Sequence, residues 1–396
     1  MRTSFSLCVV LAALLAGSVW PSRASSIAPI HVGGNADFAA CGCATRVDGV
    51  WVIGPWSISG APGDGVLIEN VTTPFRLVNM TVTNSKGAGV HLKNVDVGGA
   101  TVISGTQTSL QNNLIGLVVE QSHNITADGG GANPAGWGIV ASGKAGTINK
   151  NKLGAIDVVS SSGVVIRGWV LSANGQDGTP DWVTFDPGIP HWSVGGVRFL
   201  HVAGSTIDHN SANNDTSISY SMWSSSNNRV TWNTGDYPFT ANLVLANGSS
   251  YNTVYNNSFG TADFVGVLVA DPLKLPQPST FGSSSNNTIT YNTIHSSGPT
   301  GHEIHSGVVP DFLGGIVILN SASNNEVEYN QLWQNTGNDL KWAQATLDPS
   351  SPIGIVAYPV IAVCNVSPTT PPFNGNVWSG NSFKTVDVCP SGPLQR

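Results

Sequence analysis

Charged side chains are scarce in this chain. Only 10% of its 396 residues are Asp, Glu, Lys or Arg, and the formal net charge is −7 at pH 7. Nucleic-acid-binding proteins need clustered positive charge to neutralise phosphates, so this balance argues against such a partner. Long amphipathic helices are lacking too, because no run with a 3.6-residue period extends beyond a few turns. The surface must therefore be dominated by Ser, Thr, Asn and Gly, which suits neutral ligands and stacked strands.

Long apolar runs are also absent, apart from one at the N-terminus. There Arg2 precedes the apolar residues 7–16, and residues 22–24 form a small-x-small sequence. This pattern predicts a secretory signal peptide over residues 1–24. The run is too short to cross a bilayer, and no other transmembrane segment is visible, so we expect a secreted or periplasmic protein without a membrane anchor.

Repetition takes the place of these missing features. A phrase of one small residue followed by apolar, any and apolar residues returns along nearly the whole chain. It occurs at 65–68, 89–92, 116–119, 138–141, 155–158, 196–199, 217–220, 242–245, 266–269, 315–318 and 354–357. Most steps between successive phrases lie near two dozen residues. Self-similarity at this period predicts a solenoid in which each short unit stacks on the next.

A second phrase follows the first at a nearly fixed distance and closes on Asn. It occurs at 205–210, 228–233, 252–257, 287–292, 325–330 and 376–381. Both phrases alternate with a period of two, which predicts strands. Asn suits a tight turn because it tolerates the left-handed conformation. Asn at one position in successive coils can also form a hydrogen-bonded ladder.

This order of strand, turn, strand, Asn turn and short strand resembles the right-handed parallel β-helix of the pectin-lyase-like superfamily. The Asn-rich coils are most similar to the repeats called carbohydrate-binding and sugar-hydrolysis domains, which also occur in proteins similar to NosD. The resemblance covers roughly residues 60–385. It implies an all-β solenoid of about eleven coils with N- and C-terminal caps. We expect the N-terminal cap over residues 25–63 and the β-helix over residues 64–396.

Four cysteines follow the predicted signal peptide, and an even number in an exported protein favours disulfides. Cys364 and Cys389 flank the last Asn phrase, so a bridge between them would clamp the final coil. Cys41 and Cys43 could form a local bridge or pair elsewhere. Metal binding by this pair is the less favoured interpretation, because zinc sites usually space two cysteines further apart.

The first phrase also indicates where chemistry could lie. Its two apolar residues should point into the core and the residue between them outward. Most outward residues are apolar, and the polar break consists of Asp157, Arg198 and Ser219. A long insertion, residues 172–194, leaves between the rungs of Asp157 and Arg198. It carries Asp181, Trp182, Asp186, His191 and Trp192.

In the functional interpretation, Asp157 and Asp186 are an acid–base pair, Arg198 holds the ligand and His191 moves a proton. The substrate-binding residues would be Asp181, Trp182, Trp192 and Ser219. In the structural interpretation, Asp157 and Arg198 form a salt bridge across the sheet while the tryptophans pack the loop down. Residues 186–191 resemble the Asp-Pro-His motif of mannuronan epimerases, but three inserted residues break it and no role is transferred.

A second insertion, residues 295–314, carries His302, Glu303, His305 and Asp311. These side chains could hold a divalent cation, although loop histidines often only form hydrogen bonds. The copper role that the resemblance to NosD implies is poorly supported, because the chain has no His/Met cluster. Turn acids Asp215, Asp236 and Asp263 are expected to form a ragged line beside the same face, unless they merely suit turns.

Two function classes stay open at this point. The first is a protein that acts on an extracellular polysaccharide by hydrolase, lyase or epimerase chemistry, which the loop with Asp186 and His191 favours. The second is a non-catalytic carbohydrate-binding or surface-structural β-helix, which the apolar outward residues favour. A metal-linked accessory protein similar to NosD ranks third. The fold alone does not choose between them.

Overall fold

The computed structural model describes most of the chain from residue 25 to residue 383. The described residues are 25–105, 107–133, 136–138, 145–175, 195–216, 218–238, 240–263, 265–271, 283–297, 314–320, 322–335, 340–343, 346–347, 355–356, 362–364 and 376–383. The predicted signal peptide and the greater part of both insertions lie outside them. No helix among the described residues is both long and apolar enough to cross a membrane.

Short strands make up nearly all of the regular secondary structure among the described residues, and one short helix, α1 (Asp37–Ala40), lies near the N-terminus. The first strands are β1 Ser25–Ser26, β2 Ile30–Val32, β3 Ala44–Val47, β4 Val50–Ile53, β5 Trp56–Ser59, β6 Val66–Val71, β7 Phe75–Val78, β8 Thr81–Thr83, β9 Ala88–Val95, β10 Thr101–Ser104, β11 Ser109–Gln111, β12 Ile115–Glu120, β13 His123–Asp128 and β14 Gly146–Asn149. The middle strands are β15 Gly154–Val159, β16 Ser162–Arg167, β17 Trp169–Ser172, β18 Gly195–Leu200, β19 Thr206–Asp208, β20 Ser211–Asn213, β21 Ile218–Trp223, β22 Arg229–Thr231, β23 Thr234–Asp236, β24 Ala241–Ala246, β25 Thr253–Tyr255 and β26 Ser258–Phe259. The last strands are β27 Val265–Asp271, β28 Thr288–Thr290, β29 Thr293–His295, β30 Gly314–Asn320, β31 Glu326–Glu328, β32 Gln331–Trp333, β33 Leu340–Ala343, β34 Thr346–Leu347, β35 Ile355–Val356, β36 Ala362–Cys364, β37 Val377–Ser379 and β38 Ser382–Phe383.

The strands stack into three long sheets, and each coil contributes one strand to every sheet. Sheet 1 runs β2-β6-β9-β12-β15-β18-β21-β24-β27-β30-β33 and ends on the antiparallel β36. Sheet 2 begins with the antiparallel β3 and runs β4-β7-β10-β13-β16-β19-β22-β25-β28-β31-β37, while sheet 3 runs β1-β5-β8-β11-β14-β17-β20-β23-β26-β29-β32-β38. The chain is therefore an all-β, right-handed parallel β-helix. Eleven coils can be traced through its described residues, from β2 to β38, as the repeat predicts.

The lumen holds the core. Nine of the ten residues predicted to point inward are buried in it, namely Val197, Phe199, Tyr220, Leu243, Leu245, Val267, Val269, Ile316 and Ile318. Ile218, the tenth, is buried but does not belong to this core cluster. From β12 to β30 the outward residues of sheet 1 are buried as well, with exposures of 4% or less at Val118, Val244, Leu268 and Val317, whereas Leu67 and His91 before them are partly exposed. These exposures are those of a single chain without a partner. This part of the outward face of sheet 1 is therefore covered by the chain itself, and it is not an open apolar surface for a partner to cover.

Three of the phrases, each of which was predicted to form one rung (one strand) of sheet 1, need correction. Tyr220 pairs with Val197 and Ser221 with Arg198, so the phrase at 217–220 was placed two residues early. The error arises because polar and apolar residues alternate from Ile218 to Met222 and fit two registers equally well. Ile218 is opposite Gly195 instead, and Ser219 stands in the column of the phrase's small residue.

The other two phrases are not rungs at all. β12 pairs directly with β15, which leaves no place in sheet 1 for residues 138–141. β33 continues sheet 1 beyond β30, whereas β35, which contains the middle two residues of the phrase at 354–357, pairs antiparallel with β34. The strand that forms this coil, β33, begins without the small residue of the phrase, so the phrase does not identify it.

Residues 25–63, expected as an N-terminal cap, supply the first coil through β2, β4 and β5. The helix α1 adds Phe38, which is fully buried and packs on Trp51 and Phe75 with ring centroids 5.9 and 5.4 Å away. A disulfide joins Cys41 to Cys43, which selects the local bridge from the open alternatives. The apolar lumen is thus covered at this end by one aromatic side chain on a short helix.

Asn ladders line the turns, as the closing Asn of each phrase predicts. Asn210, Asn233, Asn257, Asn292, Asn330 and Asn381 form one ladder with side-chain N–O distances of 2.9–3.1 Å. Each amide also donates to a carbonyl of the preceding coil, for example Asn233 Nδ2 to Ile207 O at 2.9 Å. A buried turn would otherwise leave these backbone groups without partners. The ladders therefore fix the corner from which each sheet 3 strand begins.

Candidate functional site

Asp157 and Arg198, the centre of the predicted site, form a buried ion pair. They face each other on β15 and β18. Arg198 Nε donates to Asp157 Oδ1 at 3.1 Å and Arg198 Nη2 to Asp157 Oδ2 at 2.6 Å. Asp157 is 1% exposed and Arg198 8% exposed. Since this two-pronged bond occupies both carboxylate oxygens, the geometry favours the structural interpretation of the pair.

The partners proposed for that site, Asp181, Trp182, Asp186, His191 and Trp192, lie outside the described residues. Their roles therefore stay predictions. Ser219 is buried, and its hydroxyl donates to Asn242 Oδ1 at 3.4 Å. It is Ser221, on the neighbouring strand β21, that follows Arg198 in the outward column.

The proposed cation ligands His302, Glu303, His305 and Asp311 also lie outside the described residues. Within the part of the chain that the structure describes, no group of three or more His, Cys, Asp or Glu side chains could hold a metal ion. Cys364 contributes its backbone to β36 and Cys389 is not described, so the C-terminal disulfide stays a prediction. Mass mapping of the protein without reduction would test it.

A groove of about 280 Å³ lies instead on the outer face of sheet 3. It is formed by β20, β23 and β26, the short strands that follow the Asn turns. Gly260, directly after β26, and His295, at the end of β29, complete it. Its lining residues are Ser211, Ala212, Asn213, Thr234, Gly235, Asp236, Ser258, Gly260 and His295. Ala212 and Phe259 belong to the lumen core, so the alternation of these strands sends small polar side chains outward.

Asp236 and His295 lie in this groove on either side of a glycine. The two residues end β23 and β29, which are two coils apart, and Gly260 ends the coil between them. A Cβ atom placed on Gly260 would lie 2.7 Å from Asp236 Oδ1 and 3.3 Å from His295 Cε1. Gly260 therefore leaves the space through which the carboxyl group and the imidazole approach each other. Asn242 Nδ2 donates to Gly260 O at 2.9 Å and holds this strand end in place.

The environment of the groove shifts the pKa of both groups. Burial raises the pKa of Asp236, although hydrogen bonds from Thr261 and Tyr237 and the nearby His295 oppose the shift. Burial lowers the pKa of His295, and the charge of Asp236 opposes that shift. The two values therefore move toward each other. Burial thus favours the uncharged form of both groups, an imidazole that can accept a proton and a carboxyl group that releases its own proton less readily than usual.

An aromatic neighbour orients the imidazole. The ring of Trp333, on β32, stacks on His295 with centroids 4.9 Å apart and planes 14° from parallel. His295 Nδ1 also lies 3.2 Å from Ser296 Oγ. The stacked indole and the hydroxyl at Nδ1 together hold the imidazole in one orientation, with its Cε1 edge toward Gly260.

The acids predicted to form a line do not do so. Asp236 is level with Asn213, not with Asp215, because the strand register pairs the two former residues. Asp215 is 1% exposed and accepts bonds from Asn174 N and Asn174 Nδ2, both at 3.0 Å. Burial raises the pKa of Asp215 to about 7. Asp215 is therefore the last member of an internal ladder that includes Asn151 and Asn174. Of the three predicted acids, only Asp236 is among the residues that line the groove.

Comparisons with known proteins found solved structures only. No family model matches the chain, and no curated protein matches it. An alginate lyase from Paenibacillus sp. str. FPU-7 is similar over 78% of this chain and 98% of its own, with 11% identity and a TM-score of 0.40. The periplasmic alginate epimerase AlgG is similar over 91% of this chain and 85% of its own, with 11% identity and a TM-score of 0.31. A PL6 alginate lyase complex with trisaccharide is similar over 91% and 86%, with 13% identity and a TM-score of 0.32.

These similarities are too low to carry an argument about chemistry. The fold follows from the three parallel sheets, and what the groove can do follows from its own residues.

Proposed function

We propose that this protein acts on an extracellular polysaccharide that binds in the sheet 3 groove, with Asp236 and His295 as its acid–base pair. The observation that carries this proposal is the position of the two side chains on either side of Gly260, with the pKa of Asp236 raised and that of His295 lowered. Hydroxyl and amide groups of Ser211, Asn213 and Ser258 line the rest of the groove. Such groups are complementary to a hydroxyl-rich chain.

The pair favours proton transfer at a sugar carbon over hydrolysis. Glycoside hydrolases use two carboxyl groups on opposite sides of the scissile bond. Asp236 is the single carboxylate among the groove residues that the structure describes. A neutral His295 would accept the proton from the sugar carbon. Asp236, in the protonated form that its burial favours, would supply one to the opposite side of that carbon or to the leaving oxygen, which is the proton inventory of an epimerase or a lyase.

The test is an assay of the purified protein on a panel of extracellular polysaccharides, scored for new reducing ends, unsaturated ends and epimerised residues. His295→Gln and Asp236→Asn are each expected to reduce turnover about a hundredfold on the substrate found, the lower range for loss of a general acid or base. Their melting temperatures should stay near that of the unchanged protein, because both side chains are only half-buried.

Two further variants sharpen the test. Gly260→Ala keeps both groups but drives a methyl into the space between them, so it should reduce turnover as well. Glu326→Gln, an exposed change on sheet 2, is the matched control and should be fully active. Turnover that survives His295→Gln and Asp236→Asn together would overturn the assignment. Binding without turnover on every polysaccharide would favour the non-catalytic alternative.

A further inference from the structure

An excursion of the chain reaches the groove from three coils away. Counted from β2, the fourth coil contains β12 to β14 and the seventh contains β21 to β23. Between β13 and β14 the chain leaves coil four, and its residues 136–138 contact coil seven. Gly138 N donates to Trp232 O at 2.7 Å. A Cβ on Gly138 would lie 3.1 Å from Thr234 Oγ1 and Cγ2. Since Thr234 lines the groove, the excursion ends at the groove's wall.

The tip of this excursion is a built turn. Asn133 N donates to Gly138 O at 3.1 Å, and Asn133 Nδ2 donates to Trp137 O at 3.3 Å. Gly138 adopts a φ of +60°, which an L side chain would strain. The turn thus fixes the backbone on both sides of Trp137, yet it leaves that side chain 45% exposed. An exposed indole, one residue from the contact of Gly138 with the groove wall and on a backbone held by these hydrogen bonds, has the features of a stacking platform.

We propose that Trp137 binds a sugar ring beside the groove, at the level of coil seven, as a positioning residue for the polysaccharide. This inference rests on the proposed function of the same groove. Gly138 touches Thr234 where β23 begins, and Asp236 ends the same strand. A polysaccharide bound in the groove would therefore contact Trp137 close to Asp236 and extend from there past Gly260 and His295 in the next two coils. The apolar C–H face of a sugar matches an indole ring, whose large area binds at little cost in conformational entropy.

The position of Trp137 predicts a loss of binding without a loss of chemistry. Trp137→Ala should weaken binding of the polysaccharide about tenfold and raise KM by the same factor, while kcat stays unchanged, because the contact is made equally in the ground state and the transition state. Trp137→Phe should restore most of the affinity. The melting temperatures of both variants should match that of the unchanged protein, which a merely structural role of the indole would not allow.

Affinity is best measured by calorimetry on the His295→Gln variant, so that no turnover disturbs it. If the unchanged protein binds a polysaccharide and Trp137→Ala binds it equally well, the Trp137 inference is wrong while the groove assignment stands. If affinity falls only together with the melting temperature, the indole is structural and the inference is wrong too. If no polysaccharide binds to the unchanged protein, both proposals fail.

Discussion

Arg198→Ala is expected to lower the free energy of unfolding by about 3–5 kcal/mol, because it leaves the carboxylate of Asp157 buried without a counter-charge. Asp157 is 1% exposed and receives both of its short bonds from Arg198. Water cannot replace the lost guanidinium without opening the outer face of sheet 1. The measurement is equilibrium or thermal unfolding followed by circular dichroism.

The chain offers a matched control for this change. Arg167 and Asp128 also form an Arg–Asp pair between adjacent coils, in which Nε and Nη2 both approach Oδ2, at 2.9 and 2.7 Å. The side chain of Arg167 is 45% exposed, so water can solvate what remains after Arg167→Ala. That control should cost no more than about 1 kcal/mol.

A double variant tests whether stability needs the ion pair itself or only well-packed side chains at its two buried positions. The other outward residues of sheet 1 include Val118, Val244 and Leu268, so the column accepts apolar side chains. Asp157→Val with Arg198→Leu should therefore restore stability to near that of the unchanged protein. If Arg198→Ala instead abolishes turnover at unchanged stability, the pair is a substrate site, and the functional interpretation drawn from the sequence is correct.

The sequence predicted the solenoid well because the repeat encodes backbone needs. Asn233 and its equivalents recur since each must satisfy turn groups of two coils at once, and that requirement leaves a visible period. Register was harder to predict. From Ile218 to Met222 the alternation fits two positions, and only the contact of Ser219 with the neighbouring coil shows which is adopted. The rung at β33 was missed because it begins without a small residue.

The groove was missed for a different reason. Four of its residues, Asn213, Asp236, Gly260 and His295, are the third ones after successive closing Asn residues, and Trp333 follows at the same offset. A column at this offset is visible in the sequence, because an acid, a glycine and a histidine in adjacent coils break an otherwise Ser- and Thr-rich pattern. The insertions are more conspicuous because of their length, and they led the prediction of the site elsewhere. What no pattern shows is that Gly260 lets Asp236 and His295 approach each other, since that depends on packing between coils.

Asp215→Asn is expected to stabilise the protein at pH 8 by about 2–4 kcal/mol and to change it little at pH 4. Burial raises the pKa of Asp215 to about 7, whereas an unfolded carboxyl titrates near 4. The folded state therefore holds a proton that the unfolded state releases as the pH rises. Stability is lost between pH 4 and pH 7, and the loss is complete above that window.

The ladder shows why Asn should fit. Asn113, Asn151 and Asn174 each donate from Nδ2 to a carbonyl of the preceding coil, at 3.1, 3.2 and 3.0 Å. Asp215 is the next member and already accepts both bonds from Asn174 at Oδ1, but its Oδ2 has no hydrogen-bond partner. An amide there would donate as the others do, with no charge to bury. Asp48→Asn, the same change at an exposed turn, serves as the control and should alter neither the stability at pH 8 nor its pH dependence. Melting curves of the three proteins from pH 4 to pH 8 decide the matter, and equal pH dependence of Asp215→Asn and the unchanged protein would show that Asp215 is ionised within the fold.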